Sequence, residues 1–218
     1  MPEPGTLMGI GAGILVVMAY LAKRFFTAAK EVVDILLAIV ALILTLPLML
    51  VCAVIIKLSS PGPIFFKQVR LGRHGKRFNM FKFRTMFADA ESALGAVWAE
   101  AGDSRVVPWC RWMRRCHADE LPQLINVIKG EMSIIGPRPE RPEIYDDLEK
   151  AYPNVRRRLA VKPGITGLAQ VRTGYDTSIE EFRKKLAADL EYIEKRNWRM
   201  ELLILARTLG KLNDSKAH

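Results

Sequence analysis

The stretch Ile35 to Ile56, ILLAIVALILTLPLMLVCAVII, decides the fold. It holds twenty-two residues without a charge, with Pro47 near its middle, and is long enough to be a membrane helix. Proline removes a backbone donor and clashes with the preceding turn. The run is therefore predicted to break into arms of about 18 Å and 14 Å at the α-helical rise, neither of which crosses a hydrocarbon core of about 30 Å. Lys23, Arg24 and Lys30 precede the run, and Lys57 and a basic cluster follow it, so both flanks carry the cytoplasmic charge signature. A re-entrant helix that enters, bends at Pro47 and leaves by the same face satisfies that rule at both ends. The alternative is a kinked spanning helix in which Thr45 helps satisfy the freed backbone groups; charge symmetry favours the re-entrant form.

Upstream, Thr6 to Ala22 is a second uncharged run, of seventeen residues. No basic residue precedes it and Lys23 and Arg24 follow, which favours an uncleaved anchor with its N-terminus outside over a signal peptide. Gly9 and Gly13 give a GxxxG spacing suited to helix pairing, and so to a homodimer contact. The expected organisation is an anchor and basic linker over residues 1–30, a re-entrant membrane element over 31–58, and a globular cytoplasmic domain over 59–218.

Downstream, residues 59–87 carry seven Lys or Arg (Lys67, Arg70, Arg73, Lys76, Arg77, Lys82, Arg84) and no acid, within a chain of net charge +10. Such a balance fits nucleic acid, an anionic membrane face or phosphorylated substrates. Ile64 to Gln68 and Arg77 to Arg84 read as strands of a hairpin turning around Gly72 and Gly75. Phe78, Met80, Phe81 and Phe83 interleave with Lys82 and Arg84, a pattern that stacks bases or equally suits a half-buried strand. Without an RNP or helix-turn-helix pattern, nucleic acid is the weaker reading. Cys52, Cys110 and Cys116 form no CxxC pair, which argues against a disulfide framework.

Residues 86–101 read as a helix, and Val106 to Arg115 as a short segment whose Trp109, Trp112 and Met113 pack inward. The chemistry then concentrates in Arg114 to Pro142, RRCHADELPQLINVIKGEMSIIGPRPERP. Leu121, Leu124, Ile125 and Ile128 fall at helical spacing, Pro122 is tolerated in a first turn and Gly130 is a natural stop. Asp119 is thereby placed at or near the N-cap. An acidic pair there is an ordinary cap, yet the same place suits a carboxylate that becomes phosphorylated. Asp119 and Glu120 could supply a nucleophile and a metal ligand, with Arg114, Arg138 and Arg141 holding anionic oxygens. Gly136-Pro137-Arg138-Pro139 forms a restrained turn that pre-places Arg138. Lys162 to Gly167, KPGITG, is a glycine-rich turn without the P-loop arrangement. Thr177 to Glu180 reads as a capping box before a charged, solvated helix to about Asn197. Trp198 to Leu212 follows as a helix with Trp198, Leu202, Leu205 and Leu209 on one face, suited to core packing or to a membrane interface.

Three segments in order, FKFRTM (Phe81 to Met86), ADELPQLINVIKGEMSIIGPRPERPE (Ala118 to Glu143) and KPGITGLAQV (Lys162 to Val171), follow the Pro-broken apolar run. Together they closely resemble the bacterial sugar transferase family, the monotopic phosphoglycosyl transferases, over about residues 31–212. The resemblance implies a membrane-embedded α/β protein, mostly helical with a small β-hairpin, at the cytoplasmic face of the bacterial inner membrane. It implies an enzyme that moves a sugar 1-phosphate from a UDP-sugar to polyprenyl phosphate, with Mg²⁺ as cofactor, at the start of exopolysaccharide or lipopolysaccharide assembly. Asp119 would then be the nucleophile that forms a phosphosugar aspartyl intermediate, and Glu120 a Mg²⁺ ligand. The family pattern would place Lys82 and Arg114 near the phosphate or metal site and Arg138 beside it; Arg84 and Arg141 are further candidates for binding substrate phosphates. Many members carry an arginine in an Asn-Gly-Arg run after the final motif, whereas this chain reads Val171-Arg172-Thr173-Gly174, so Arg172 is the candidate two positions earlier. The alternative from another class is a membrane-anchored, non-catalytic nucleic-acid or partner-binding module.

Overall fold

The computed structural model describes residues 4–87, 104–173 and 179–211, with side chains from residue 13 onward apart from those of 15, 179–181 and 211. The helix expected over 86–101 and Thr177 of the expected capping box lie outside the described residues, apart from the ends of those ranges.

Helix α1 runs from Pro4 to Ser59 as one element with Pro47 inside it. The two apolar runs expected to be separate are thus joined through Lys23–Lys30, and the helical assignment is not interrupted at the proline. Thr45 does not reach the carbonyl that Pro47 leaves without a donor. It donates instead to the Ala41 carbonyl at 2.7 Å, as a helical threonine commonly does.

The buried face of α1 explains why its C-terminal half belongs to the globular body. Ala38 packs with Phe78, Met80, Leu124, Val127 and Met132, while Met49, Cys52 and Ile56 pack with Phe83, Val107, Cys110 and Met113. The steps of eleven, three and four between residues 38, 49, 52 and 56, the first bridged by half-buried Leu42 and Thr45, keep one face inward. The opposite face, including Leu36, Leu37, Val40, Ile43, Leu44, Leu50, Val51 and Val54, is exposed, as are Ile14 and Val16–Met18 nearer the N-terminus.

Strands β1 (Phe65–Leu71) and β2 (Arg77–Phe83) form the expected hairpin, antiparallel in register from Phe65 opposite Phe83 to Leu71 opposite Arg77. Its turn uses positive φ at His74 and Gly75. Phe78 and Met80 point inward; by the two-residue period of a strand, Lys82 shares their side. A second, parallel pair joins β3 (Ser133–Ile135) to β4 (Gly164–Thr166).

The helices between and after these strands are α2 (Arg111–Arg115), α3 (Gln123–Ile128), α4 (Pro142–Ala151), α5 (Leu168–Thr173), α6 (Ile179–Lys195) and α7 (Trp198–Lys211). Several sequence expectations are corrected here. Trp109 is 74 % exposed, whereas Met113 is fully buried. Helix α3 turns Leu124, Asn126 and Val127 inward and leaves Ile125 half-exposed, because the Asn126 amide has partners to reach. Helix α6 is not a solvated helix: Phe182, Leu186, Ala188, Asp189 and Tyr192 are buried. On α7 the core side is Glu201 and Ile204, while Trp198, Leu202 and Leu209 of the expected inward stripe are exposed.

Candidate active site

Asp119 and Glu120 sit in a 3₁₀ turn, Ala118–Glu120, ahead of α3 rather than at its N-cap. Pro122 immediately precedes α3 and cannot donate a backbone hydrogen bond, so the chain tightens before the regular helix begins. His117 leads into the turn with a left-handed φ of 57°, an uncommon conformation for a non-glycine residue. Its Nδ1 lies 3.1 Å from the Arg114 carbonyl oxygen. The bend brings both carboxylates against β2 and the Pro137–Pro139 turn.

Glu120 is the hub. Its Oε1 accepts from Lys82 Nζ at 2.8 Å and from Arg138 Nη2 at 2.9 Å. These two cations hold its carboxyl well below the usual carboxylate range, against the opposing effect of burial. Asp119 is only 8 % exposed and makes no side-chain hydrogen bond among the described residues. Burial pushes its carboxyl up; Lys82, Arg114 and His117 act against that shift, and Glu120 adds to it. The adjacent carboxylates, both desolvated, are thus divided into one tethered by two cations and one without a side-chain hydrogen bond among the described residues.

Each arm of the site has its own support. Asn126, fully buried, accepts from the Phe81 backbone N–H at 3.0 Å and donates to the Asn79 carbonyl and to Glu131 Oε2, each at 2.7 Å. The side chain ties β2 to α3 and fixes where Lys82 meets Glu120. On the other arm, Arg158 donates through Nη2 to the Arg138 carbonyl at 2.9 Å and through Nε to Asp189 at 2.7 Å. Arg70 donates to the Pro139 carbonyl at 2.9 Å. Two arginines therefore hold the backbone on which Arg138 is mounted.

The glycine-rich KPGITG segment supports the same turn by backbone contact. Gly136 N–H donates to the Thr166 carbonyl and Gly164 N–H to the Pro137 carbonyl, both at 2.9 Å. A Cβ on Gly164 would lie 2.1 Å from the Gly136 nitrogen, and one on Gly167 would lie 2.2 Å from the Gly136 oxygen. Only hydrogen fits between these two chain segments.

The remaining sequence candidates divide. Arg114 reaches Thr85 Oγ1 at 3.4 Å and is among the charges acting on Asp119. Arg141 lies 3.6 Å from Glu143 on the far side of Pro139. Arg84 is turned to the end of α1, donating to the Pro61 carbonyl at 2.7 Å and to the Ser60 carbonyl and hydroxyl at 2.8 Å and 3.0 Å. Arg172 is paired with Glu191 of α6, and no contact among the described residues joins it to Asp119 or Glu120. Asn126, Arg158, Arg70 and Ser133 were not singled out by sequence. Asn126 falls outside the apolar stripe of Leu121, Leu124, Ile125 and Ile128 and so gave no sign of its burial; nothing in VRRRL distinguishes Arg158 from its neighbours.

No group of three or more His, Cys, Asp or Glu side chains able to hold a metal converges among the described residues. Two carboxylates with nearby arginines nevertheless suit Mg²⁺, which takes one or two carboxylates, keeps several waters and draws further oxygens from substrate phosphates.

The sequence model of the bacterial sugar transferases matches residues 25–214. The chain is 41 % identical over 189 residues to the UDP-N-acetylgalactosamine-undecaprenyl-phosphate N-acetylgalactosaminephosphotransferase of Aeromonas hydrophila, covering 87 % of this chain and 44 % of that protein. It is 40 % identical over 196 residues to the UDP-glucose:undecaprenyl-phosphate glucose-1-phosphate transferase of Xanthomonas campestris pv. campestris, covering 86 % and 40 %. It is 36 % identical over 188 residues to an exopolysaccharide production protein, PSS, of Rhizobium leguminosarum bv. phaseoli, covering 83 % and 92 %. The chain spans less than half the length of the first two relatives.

Proposed function

The chain belongs to the bacterial sugar transferase family, and from that premise we propose that it transfers a sugar 1-phosphate from a UDP-sugar to undecaprenyl phosphate through a covalent intermediate on Asp119. The observation that carries the reading is the split pair: Glu120 tethered by Lys82 and Arg138, and Asp119 buried beside it without a tether. A desolvated carboxylate is a stronger nucleophile, and neighbouring cations favour its ionised form and the anionic phosphate it must approach. An Asp119 oxygen attacks the sugar-bearing phosphorus; the bond from that phosphorus to the bridging oxygen breaks, and UMP leaves with the electron pair. The phosphate oxygen of undecaprenyl phosphate then attacks the same phosphorus, expelling the Asp119 carboxylate and forming the lipid diphosphate sugar.

Glu120, with Asp119, would hold Mg²⁺, which when bound neutralises charge on the phosphoryl oxygens. Lys82 and Arg138 keep Glu120 ionised and aimed, and Arg114 adds positive charge beside Asp119. Incubation with a UDP-sugar in the absence of lipid is expected to add the mass of one sugar phosphate to the protein and release UMP, and Asp119→Asn to do neither. An adduct retained in that variant would sink the nucleophile assignment. The relatives' names give different sugars at nearly equal identity, so overall similarity does not select the donor.

The membrane arrangement is part of the same proposal. Ala38 and Ile56 dock on one globular body although about 27 Å of helical rise separates them, and basic residues flank the apolar run at both ends. These observations favour an element that lies against the domain from one face of the bilayer over one that crosses it. The basic flanks support a cytoplasmic position for the 59–218 domain, where it would meet both a soluble donor and a lipid acceptor. Cysteines introduced at Val33 and Leu58 should both react with an impermeant reagent from the cytoplasmic side; labelling from opposite sides would establish a spanning helix. The nucleic-acid alternative has less support, because Lys82, Arg84, Arg70 and Arg73 of the basic hairpin are engaged within the protein.

A further inference from the structure

A shallow, solvent-open cavity lies where α1 leaves the globular body. None of Lys82, Asp119, Glu120 or Arg138 lines it. Its charged walls are Lys30, Glu31 and Asp34 of α1 together with Arg73, Lys162 and Arg196; with Glu201, which also holds Lys30 at 2.9 Å, four cations against three carboxylates leave a formal charge of +1. The carboxylates are already engaged. Glu31 bridges Arg73 at 3.3 Å and Lys162 at 3.1 Å. Asp34 takes Lys30 at 3.0 Å and the Ser133 hydroxyl at 2.6 Å.

The guanidinium donors are only partly engaged, Arg73 meeting Glu31 through Nη1 alone. Arg73 Nε is buried without a hydrogen-bond partner. Arg196 Nη2 reaches a hydroxyl, Thr27 Oγ1, at 3.0 Å, and its guanidinium lies 5.8 Å from the centre of the Phe26 ring. A guanidinium presents a rigid fork of donors matched to phosphate oxygens, so the cavity offers two such forks and a surplus of positive charge to a phosphate.

Its position supplies the source of that phosphate. Just N-terminal to the cavity, α1 carries Lys23 and Arg24 and an exposed apolar stretch that includes Val16–Met18, Tyr20, Leu21 and Phe25. Phe26 meets Trp198 of α7 edge to face at 5.1 Å. Basic and aromatic residues at the end of an apolar helix mark the headgroup level of a bilayer, and basic pockets on that side of a membrane protein bind anionic headgroups. We propose that this cavity binds the phosphate of an anionic phospholipid, at a site separate from the transfer centre. The inference rests on the membrane placement given above, and no group transfer occurs in the cavity, whose carboxylates are both held by cations.

The test uses the full chain in neutral detergent micelles, with short-chain phosphatidylglycerol as probe and thermal unfolding as readout. A saturable rise in midpoint is expected with phosphatidylglycerol and none with phosphatidylcholine of the same chain length. The Arg73→Gln/Arg196→Gln double variant should need at least ten-fold more lipid for half the effect, whereas Arg156→Gln, at an exposed arginine paired with Glu149, should respond as the parent does. If the double variant does not fold, Arg196→Gln alone carries the comparison. An equal rise with phosphatidylcholine, or an undiminished response in the double variant, overturns the site; an equal rise with inorganic phosphate overturns the lipid source. UMP release in the same micelles separates the two readings: an active protein with no lipid response loses this site alone, and a lipid-responsive protein with no turnover loses the transfer reading alone.

Discussion

Two buried charged clusters in this molecule are built from the same residue types and end in opposite states. One joins Lys30, Asp34, Glu201, Ser133 and Tyr192 between α1, α7, β3 and α6. Lys30 Nζ meets Asp34 at 3.0 Å and Glu201 at 2.9 Å; the Ser133 hydroxyl lies 2.6 Å from Asp34 and the Tyr192 hydroxyl 2.7 Å from Glu201. The other is Lys82, Arg138, Glu120 and Asp119. In the first, one cation serves two carboxylates, and each of these also accepts from a hydroxyl. In the second, two cations converge on a single carboxylate oxygen while Asp119 makes no side-chain hydrogen bond among the described residues. A closed network fixes the long apolar helix to a domain. An open one leaves a desolvated carboxylate available to react, and its neighbour supplies the rigidity that Asp119 lacks.

The largest expected effect breaks this contrast at its reactive member. Asp119→Asn should lower turnover by roughly 10³-fold or more, about 4 kcal/mol in transition-state terms, without loss of thermal stability. Burial raises the folded-state pKa of Asp119, so the ionised form opposes folding as pH rises through that window, and a neutral amide removes the opposition. UMP release and the melting midpoint, measured together at neutral pH, check both halves. A variant that is inactive only because it unfolds would erase the distinction between the two clusters.

The closed cluster should answer the other way. Lys30→Met leaves Asp34 and Glu201 buried without their shared cation, which should cost on the order of 3 kcal/mol of stability. Turnover per folded molecule should stay within a few-fold of the parent. Denaturant unfolding paired with active-site titration reads both quantities, and a selective loss of turnover in a fully stable variant would show that this cluster also acts on the chemistry.

The smallest expected effect sharpens the division within the active pair. Because the folded-state pKa of Glu120 is depressed, its ion pairs contribute stability that is present above the unfolded value of about 4.3 and lost as pH falls through the folded value. Glu120→Gln should be less stable at neutral pH by an amount on the order of 1 kcal/mol, and the difference from the parent should shrink on acidification below about pH 4. Denaturation midpoints at several pH values check this; a difference that grows on acidification would reverse the assignment of the tethered and untethered carboxylates.

Much of the catalytic region was legible because its signals are local. The hairpin follows from two β-rich strands around glycines, and the stop after α3 from Gly130, whose φ is +74°. The restrained Arg138 turn follows from its two prolines. Patterns involving distant partners misled. The Trp198, Leu202, Leu205 and Leu209 stripe has helical spacing, but Glu201 is drawn inward by Lys30 of α1, so α7 packs through Glu201, Ile204 and, from the stripe, Leu205. Arg84 is basic and next to the motif, yet it closes the end of α1 through Ser60 and Pro61. Helix α6 reads as charged and solvated because Asp189 gives no sign of Arg158, thirty-one residues away.

By itself, the sequence determined that an apolar helix with basic flanks precedes a small mixed domain, and that an acidic pair, Asp119-Glu120, and a proline-restrained Arg138 lie close together along the chain. Periodicity, proline and glycine punctuation and charge bias are properties of neighbouring residues and need no fold to be read. Only the tertiary structure decided which of the two carboxylates is tethered, because that depends on Lys82, thirty-eight residues away, and on a turn held by Arg70 and Arg158. It also decided that α1 is one helix docked along the domain, since burial of Ala38, Met49, Cys52 and Ile56 is a property of the surfaces they meet and not of the apolar run that contains them.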